Sequence, residues 1–261
     1  MSRRPFFAVG VKSTLALRRL DHFEALWSAK LPPVDEANIG RGGWSRVYLL
    51  ELEDLTGRSQ RFYLKRQQGY LIRSLRRPLG EPTVAREFQA LQNFARKGIP
   101  APEAVFYDER EVEGGTQAVL LTRGLDDYQP LHEWFNKWSD LTRQRRNDLL
   151  LAAASLVRCL HNARLVHNSL YPKHIFLKLS QDGARARLID LEKARFGLGL
   201  RARSRDLETL YRRSRAPSRS ELLRFLLAYL EKNQVDAETR RLIRLIVRRR
   251  RRKREAARTR R

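Results

Sequence analysis

The 261-residue sequence contains one cysteine, one methionine and no long apolar run. The single cysteine, Cys159, excludes an internal disulfide, because a disulfide needs two thiols, and it is typical of a reducing compartment. No segment approaches the roughly 18 apolar residues that a membrane-spanning helix needs. The apolar run at residues 6–11 is too short for the hydrophobic region of a cleaved secretory signal. These absences predict a cytoplasmic protein, with attachment to a membrane face left open.

Acidic residues are also scarce. There are 29 Asp and Glu against 54 Lys and Arg, a formal net charge of +25, which favours an anionic partner. The excess is concentrated in residues 201–261, which contain 22 basic and 7 acidic residues, and residues 248–254 are all basic. We expect residues 248–261 to form a disordered polybasic tail that binds an anionic membrane surface, at about 1 kcal/mol per basic residue. Nucleic acid is a less favoured partner, because the tail has no aromatic residues for base stacking and no RNA-binding or helix-turn-helix signature occurs.

Polar side chains of the kinds used in catalysis and metal binding are most concentrated in residues 166–195. Two apolar runs, residues 174–177 and 187–189, flank the turn Asp182-Gly183, and this pattern predicts a β-hairpin. Polar residues lie at both ends of the predicted hairpin. Their order is close to that of a kinase catalytic loop, which has the form H-x-D-x-x-x-x-N and is followed by a metal-binding Asp.

The match to this loop is partial. His167 has the position of the loop histidine, and Asp190 has that of the metal-binding Asp. Ser169 stands where the base Asp is expected, and His174 stands where the Asn is expected. Asp206 follows Asp190 by only sixteen positions, which leaves no room for a long regulatory segment. The compact spacing favours a kinase of a small molecule or glycan over a regulated protein kinase.

A glycine turn precedes this region, with Gly40, Gly42 and Gly43 followed by Val47. Glycines let backbone amides approach phosphates closely, and the valine could cover an adenine ring. An ordinary hairpin turn is the simpler alternative.

An alternating strand then ends at Lys65, and a helix at residues 83–97 carries Glu87 beside its apolar stripe. Taken singly, Lys65 would be an edge-strand residue and Glu87 part of a solvated helix face. The order of glycine turn, strand lysine and helix glutamate is that of a kinase small lobe, where the lysine neutralises nucleotide phosphates and the glutamate holds the lysine. The order favours the functional interpretation.

The whole pattern predicts an α+β protein with a two-lobed, protein-kinase-like fold. We expect a small β-rich N-lobe over residues 35–122 and a mainly helical C-lobe over residues 123–247, with a long helix at residues 141–163. Residues 1–34 are expected to form an N-terminal extension.

The sequence resembles the lipopolysaccharide kinase (Kdo/WaaP) family, and within it the InaA-like branch. The resemblance covers roughly residues 35–215. It is carried by residues 40–47, by residues 62–65 together with Glu87, and above all by His167-Asn168-Ser169-Leu170-Tyr171-Pro172-Lys173-His174-Ile175-Phe176 and Ile189-Asp190-Leu191-Glu192-Lys193.

The resemblance implies an ATP- and Mg²⁺-dependent kinase of a heptose or Kdo sugar in the lipopolysaccharide inner core. It implies action at the cytoplasmic face of the inner membrane of a Gram-negative bacterium, on lipopolysaccharide core or another anionic glycolipid. By position, Lys65 would hold the nucleotide phosphates, Glu87 would pair with Lys65, and Asp190 would bind the metal. His174 would be a second metal ligand, although magnesium prefers oxygen to imidazole.

Ser169 is the departure with the largest consequence. A serine hydroxyl cannot accept a proton near neutral pH as a carboxylate does, and losing a general base costs about 10²- to 10⁴-fold in rate. His167 or Glu192 could replace the base, or a slow enzyme could work by positioning and charge neutralisation alone. The alternative is a nucleotide-binding pseudokinase or stress-responsive regulator with little transfer activity.

Overall fold

The computed structural model divides the chain into two units, one rich in β-strands and one mainly helical. This division confirms the predicted α+β class. The first unit comprises Met1–Arg96 and Pro102–Asp126, and the second comprises Lys97–Ala101 and Asp127–Arg261. The residues that the structure describes are 4–40, 42–53, 57–74, 77–113 and 115–259.

A six-stranded antiparallel sheet is the framework of the first unit, with the strand order β1-β7-β8-β4-β3-β2. A separate hairpin, β5 with β6, connects the sheet to helix α3. In chain order, the elements are β1 Phe6–Phe7, α1 Val11–Leu17, α2 Phe23–Ser28, β2 Asn38–Gly40, β3 Gly43–Glu53, β4 Ser59–Gln68, β5 Leu71–Ser74, β6 Arg77–Pro82, α3 Thr83–Arg96, β7 Ala104–Val112 and β8 Gly115–Arg123.

The N-terminal segment is part of this unit, whereas the sequence predicts an extension over residues 1–34. Strand β1 pairs with β7, and Phe6 lies opposite Tyr107. Leu15 and Leu26 are fully buried in the same cluster as Leu64 of the sheet. These apolar side chains of α1 and α2 cover one face of the sheet, so burial of that face requires the segment.

The second unit contains the predicted hairpin and a set of longer helices. Its elements are β9 Gln129–Pro130, α4 Leu131–Asn136, α5 Arg143–Asn162, β10 Leu165–Val166, β11 Ile175–Ser180, β12 Gly183–Leu188, β13 Arg195–Phe196, α6 Gly199–Arg213, α7 Arg219–Leu230 and α8 Ala237–Arg258. Strands β11 and β12 pair antiparallel with Ser180 opposite Gly183, as the Asp-Gly turn predicts. Helix α5 buries an apolar stripe that includes Leu149, Val157 and Leu160, and Thr142 caps its N-terminus.

Helix α8 corrects one expectation: residues 248–258 are helical instead of disordered. Arginine and lysine are good helix formers, and Asp236 caps the helix by accepting a hydrogen bond from the Thr239 amide at 2.8 Å. Two contacts bind the basic end to α6: the Arg250 guanidinium lies 4.8 Å from the ring centroid of Tyr211, and Lys253 pairs with the buried Glu208. Residues 260 and 261 lie outside the described part of the chain. No helix in that part is both long enough and apolar enough to cross a membrane.

Candidate functional site

The glycine turn closes the hairpin between β2 and β3, where Gly40 lies opposite Gly43. Gly42 has a φ of +77°, a conformation that favours glycine, and a Cβ atom there would meet no neighbour within 4 Å. A Cβ atom on Gly43 would lie 2.0 Å from the Gln68 carbonyl oxygen, so only glycine allows β3 to pass this close to the end of β4. Gly43 therefore has a packing reason of its own. Arg41 lies outside the described residues.

Lys65 lies in the middle of the sheet, opposite Val47 on β3 and Leu120 on β8. Its ammonium donates a hydrogen bond to Glu87 Oε2 at 2.7 Å, and both side chains are largely buried, with exposed fractions of 22% and 16%. Helix α3 holds Glu87 in place because the neighbouring Phe88 stacks on Tyr107 of β7 with ring centroids 4.3 Å apart. The structure thus brings together the two charged residues that the sequence order paired.

A buried carboxylate in the second unit holds the loop that contains Ser169. Asp206 on α6 is fully buried, and its oxygens accept hydrogen bonds from the amides of His167 at 2.6 Å and Asn168 at 2.9 Å. Asn168 has a φ of +63°, and this left-handed residue turns the chain between His167 and Ser169. The loop conformation therefore depends on one carboxylate 38 residues beyond Asn168 in the chain.

The side chain of His167 lies on the buried side of this loop. Its ring is fully buried, and Nε2–H donates to the carbonyl oxygen of Ile189 at 2.9 Å. Nδ1 is also buried and has no hydrogen-bond partner among the described residues. The ring ties the loop to the residue before Asp190, and its burial argues against a role for His167 as a base that meets substrate.

His174 and Asp190 face one another at the end of the hairpin. His174 Nδ1–H donates to the Ser169 carbonyl oxygen at 2.8 Å, and His174 Nε2 lies 3.1 Å from Asp190 Oδ2. Burial lowers the pKa of His174, outweighing the opposing effect of the Asp190 carboxylate. Because Nδ1 donates to a carbonyl oxygen, Nε2 is the ring nitrogen that faces the Asp190 carboxylate.

Asp190 is the more accessible member of this pair, with its side chain 35% exposed. Its φ of +59° lies in the left-handed region, which a non-glycine residue adopts only where the surrounding structure requires it. The carboxylate of Glu192 is 3.5 Å from the Lys193 ammonium. The described residues contain no group of three or more His, Cys, Asp or Glu that could enclose a metal ion by themselves.

Two buried polar residues that support Asp206, His161 and Tyr229, were not predicted to do so. His161 on α5 is buried, and its Nε2–H donates to Asp206 at 3.3 Å while Nδ1 accepts from the Tyr229 hydroxyl at 2.8 Å. Burial lowers the pKa of His161 and raises that of Tyr229 to about 12, so both are neutral near pH 7. No local pattern marks these residues, since their partners are 45 and 68 residues away in the chain.

Comparison with known proteins identifies the family of the chain. The model of the lipopolysaccharide kinase (Kdo/WaaP) family matches residues 24–229. The chain is 30% identical over 182 residues to Protein InaA of Escherichia coli (strain K12), covering 68% of this chain and 80% of InaA.

A solved structure, WaaP in complex with acyl carrier protein, is similar with a TM-score of 0.66 and 23% sequence identity. The similarity covers 93% of this chain and 92% of that one. It confirms the predicted kinase-like fold, and the InaA match confirms the predicted branch. The chain belongs to the lipopolysaccharide kinase (Kdo/WaaP) family.

Proposed function

We propose that the protein is an ATP-dependent kinase that phosphorylates a heptose or Kdo sugar of the lipopolysaccharide inner core. The observation that carries the proposal is the preformed ion pair of Lys65 with Glu87, together with His174 and Asp190 3.1 Å apart, at the positions that a kinase uses for nucleotide and metal. Family membership supports the reaction class and the class of acceptor.

Lys65 would neutralise phosphate oxygens of the nucleotide, and Glu87 would keep the lysine side chain extended toward them. The lysine is 22% exposed, so its ammonium retains access to a ligand while Glu87 fixes its direction. Val47 lies opposite Lys65 on the neighbouring strand and would contact the adenine ring. The amides around Gly42 would approach the phosphates, since that turn has open space beside it.

The donors near Asp190 fit a divalent cation. His174 Nε2 and Asp190 Oδ2 are 3.1 Å apart, so both atoms would be close enough to face one bound cation. Asp190 would supply the oxygen ligand that Mg²⁺ prefers, and His174 a weaker nitrogen ligand. Nucleotide phosphates and water would complete the set, as is usual for Mg²⁺. When bound, the metal would supply positive charge that neutralises the transferring phosphoryl group.

Catalysis in this site would rest on positioning and charge neutralisation. Ser169 has no carboxylate, His167 is buried and bound to Ile189, and Glu192 lies beside Lys193. Phosphoryl transfer needs little covalent help from the protein, so a slow reaction can proceed without the base. The second candidate is a pseudokinase that binds nucleotide and transfers little phosphate, and the serine at position 169 is the observation that favours it.

Calorimetric titration with MgATP and with ATP in EDTA tests the nucleotide site. We expect binding that weakens at least about tenfold in Lys65→Met, because a charge-assisted contact to phosphate is worth about 1.5–3 kcal/mol. Arg61→Met is the matched control, since Arg61 lies on the same strand and pairs with Asp126 instead of Glu87. No binding by the wild type would refute the proposal, and MgATP binding without phosphate transfer would favour the pseudokinase.

We further propose that the protein works at the cytoplasmic face of the inner membrane, held there by its basic C-terminal region. Arg248, Arg251 and Arg252 on α8 are exposed. Most of the basic residues of this helix lie in its C-terminal half, from Arg248 onward. Replacing all three with Gln should weaken binding to anionic vesicles by up to about 100-fold, at about 1 kcal/mol per residue. Sedimentation with phosphatidylserine vesicles measures this, and equal binding to neutral vesicles would contradict it.

One feature of the second unit favours a second ligand, an acyl group attached to a carrier protein. An apolar cavity of about 210 Å³ is lined by Leu131, Leu150, Leu207, Leu210, Phe225 and Ile246. Beside it lies an arginine-rich pocket. The similar WaaP structure contains acyl carrier protein. We propose that this cavity accepts an acyl chain whose carrier is negatively charged.

Two matched variants test the acyl proposal. Val247 lines the cavity and is exposed, and Leu151 is similarly exposed but lies elsewhere. Val247→Arg should weaken binding of acylated acyl carrier protein by at least about tenfold, whereas Leu151→Arg should not, because only the first places a charge in the apolar cavity. Equal effects of the two substitutions, or equal binding of acylated and unacylated carrier, would overturn the proposal.

A further inference from the structure

A glutamine two residues beyond Lys65 is buried where no sequence motif predicts it. Gln67 lies on β4, and because side chains alternate along a strand, it is on the same face of the sheet as Lys65. Its side chain is fully buried, which is uncommon for glutamine unless its carboxamide is hydrogen-bonded.

Both ends of this carboxamide have partners. Oε1 accepts hydrogen bonds from the Thr83 hydroxyl at 2.7 Å and from the Val84 amide at 3.1 Å. Nε2 donates to the Tyr70 carbonyl oxygen at 2.5 Å. That same oxygen accepts from the Thr83 amide at 3.4 Å, so the residues form a closed ring of hydrogen bonds.

The ring joins the end of β4 to the first turn of α3. Amides in the first turn of a helix have no partner within the helix, and Gln67 supplies one for Val84. The chain between these points forms the β5–β6 hairpin, and the ring closes its two ends against one another. The start of α3 is therefore fixed directly to the strand that carries Lys65, independently of the conformation of the β5–β6 hairpin.

Glu87 lies four residues after Thr83, one helical turn further along the same helix. We infer that Gln67 is a positioning residue, which holds α3 where Glu87 meets Lys65 and so keeps the charged pair formed without ligand or modification. The functional meaning of this inference rests on the proposed nucleotide site. It implies a kinase whose lysine and glutamate pair is always assembled and is not switched by movement of α3.

The main test compares Gln67→Leu with Gln68→Leu. Gln68 is the next residue on β4 and points to the opposite face, where its Oε1 accepts a hydrogen bond from Nε2 of the half-buried Gln117 at 3.3 Å. The readout is the rate of Lys65 acylation by acetic anhydride, measured by mass spectrometry, with Glu87→Gln as the reference for a broken pair. We expect Gln67→Leu to raise the Lys65 rate toward that of Glu87→Gln, and Gln68→Leu to leave it unchanged.

Two further measurements complete the test. Hydrogen exchange of residues 83–87 should accelerate in Gln67→Leu, because the Val84 amide loses its acceptor. The Kd for MgATP should rise by about tenfold, as expected when a charge-assisted contact is misplaced. If Gln67→Leu does not fold, Thr83→Val replaces it; this variant keeps the Val84 bond and should show the same changes at smaller size.

The outcomes separate this inference from the proposed function. If the wild type binds no MgATP but Lys65 acylation rises in Gln67→Leu, the positioning role stands and the nucleotide site fails. If a folded Gln67→Leu variant leaves acylation of Lys65, exchange at residues 83–87 and the MgATP affinity at wild-type values, the positioning role is overturned.

Discussion

Replacing Asp206 should loosen the loop that carries Ser169 and destabilise the second unit. In Asp206→Ala the amides of His167 and Asn168 lose their acceptor inside the protein, and His161 loses a partner as well. An unsatisfied buried donor costs about 1–3 kcal/mol, so two amides give about 2–6 kcal/mol. That is a large part of the roughly 5–15 kcal/mol that holds a typical domain folded.

Urea unfolding followed by tryptophan fluorescence measures this loss. Asp182→Ala is the control, since Asp182 is exposed in the hairpin turn and should change the free energy of unfolding by about 0.5 kcal/mol or less. Asp206→Asn should lie between the two, because an amide oxygen can still accept from one backbone N–H. An Asp206→Ala variant as stable as the control would show that the carboxylate does not hold the loop and would refute the reasoning.

Three further predictions concern single residues. Burial lowers the pKa of His161, so the unfolded chain takes up a proton that the folded chain excludes; the free energy of unfolding should fall as pH drops from 7.5 to 5.5, by up to about 1.4 kcal/mol per pH unit, and His161→Gln should flatten this slope in urea titrations. Gly43→Ala should cost about 1–3 kcal/mol or more in thermal unfolding, through a clash with the backbone at Gln68, and a smaller loss than in Gly42→Ala would contradict the packing argument. Ser169→Asp should raise phosphate transfer by about 10²- to 10⁴-fold if the rest of the site is competent, and an unchanged rate would show that the missing base is not what limits the protein.

Local patterns predicted the elements that carry the site. The hairpin of β11 and β12 follows from two apolar runs and an Asp-Gly turn, all within fifteen or so residues. Lys65 and Glu87 were paired from the order of a strand and a helix, and the structure brings their charged atoms within 2.7 Å. In both cases the signal is a periodicity or a short spacing, which the sequence displays directly.

Features that depend on distant partners were not predicted. Asp206 is one of two acidic residues on α6, and only the fold shows that it is buried against the loop of His167. Gln67 is a polar residue in a strand pattern, and its role depends on the start of α3. Residues 248–261 were expected to be disordered, but helix α8 continues to Arg258, with contacts from Arg250 and Lys253 to α6. These features thus depend on tertiary contacts, which the periodicity of the sequence does not display.

The most direct test of the central claim is transfer of radiolabelled phosphate from MgATP to delipidated lipopolysaccharide core, by the wild type, Lys65→Ala and Asp190→Ala. The account predicts slow transfer by the wild type and none by either variant, with all three proteins folded. Transfer that persists in both variants would contradict the assigned site. If the wild type binds MgATP but transfers no phosphate, the proposed kinase activity is contradicted. The protein would then be a nucleotide-binding protein with the same fold.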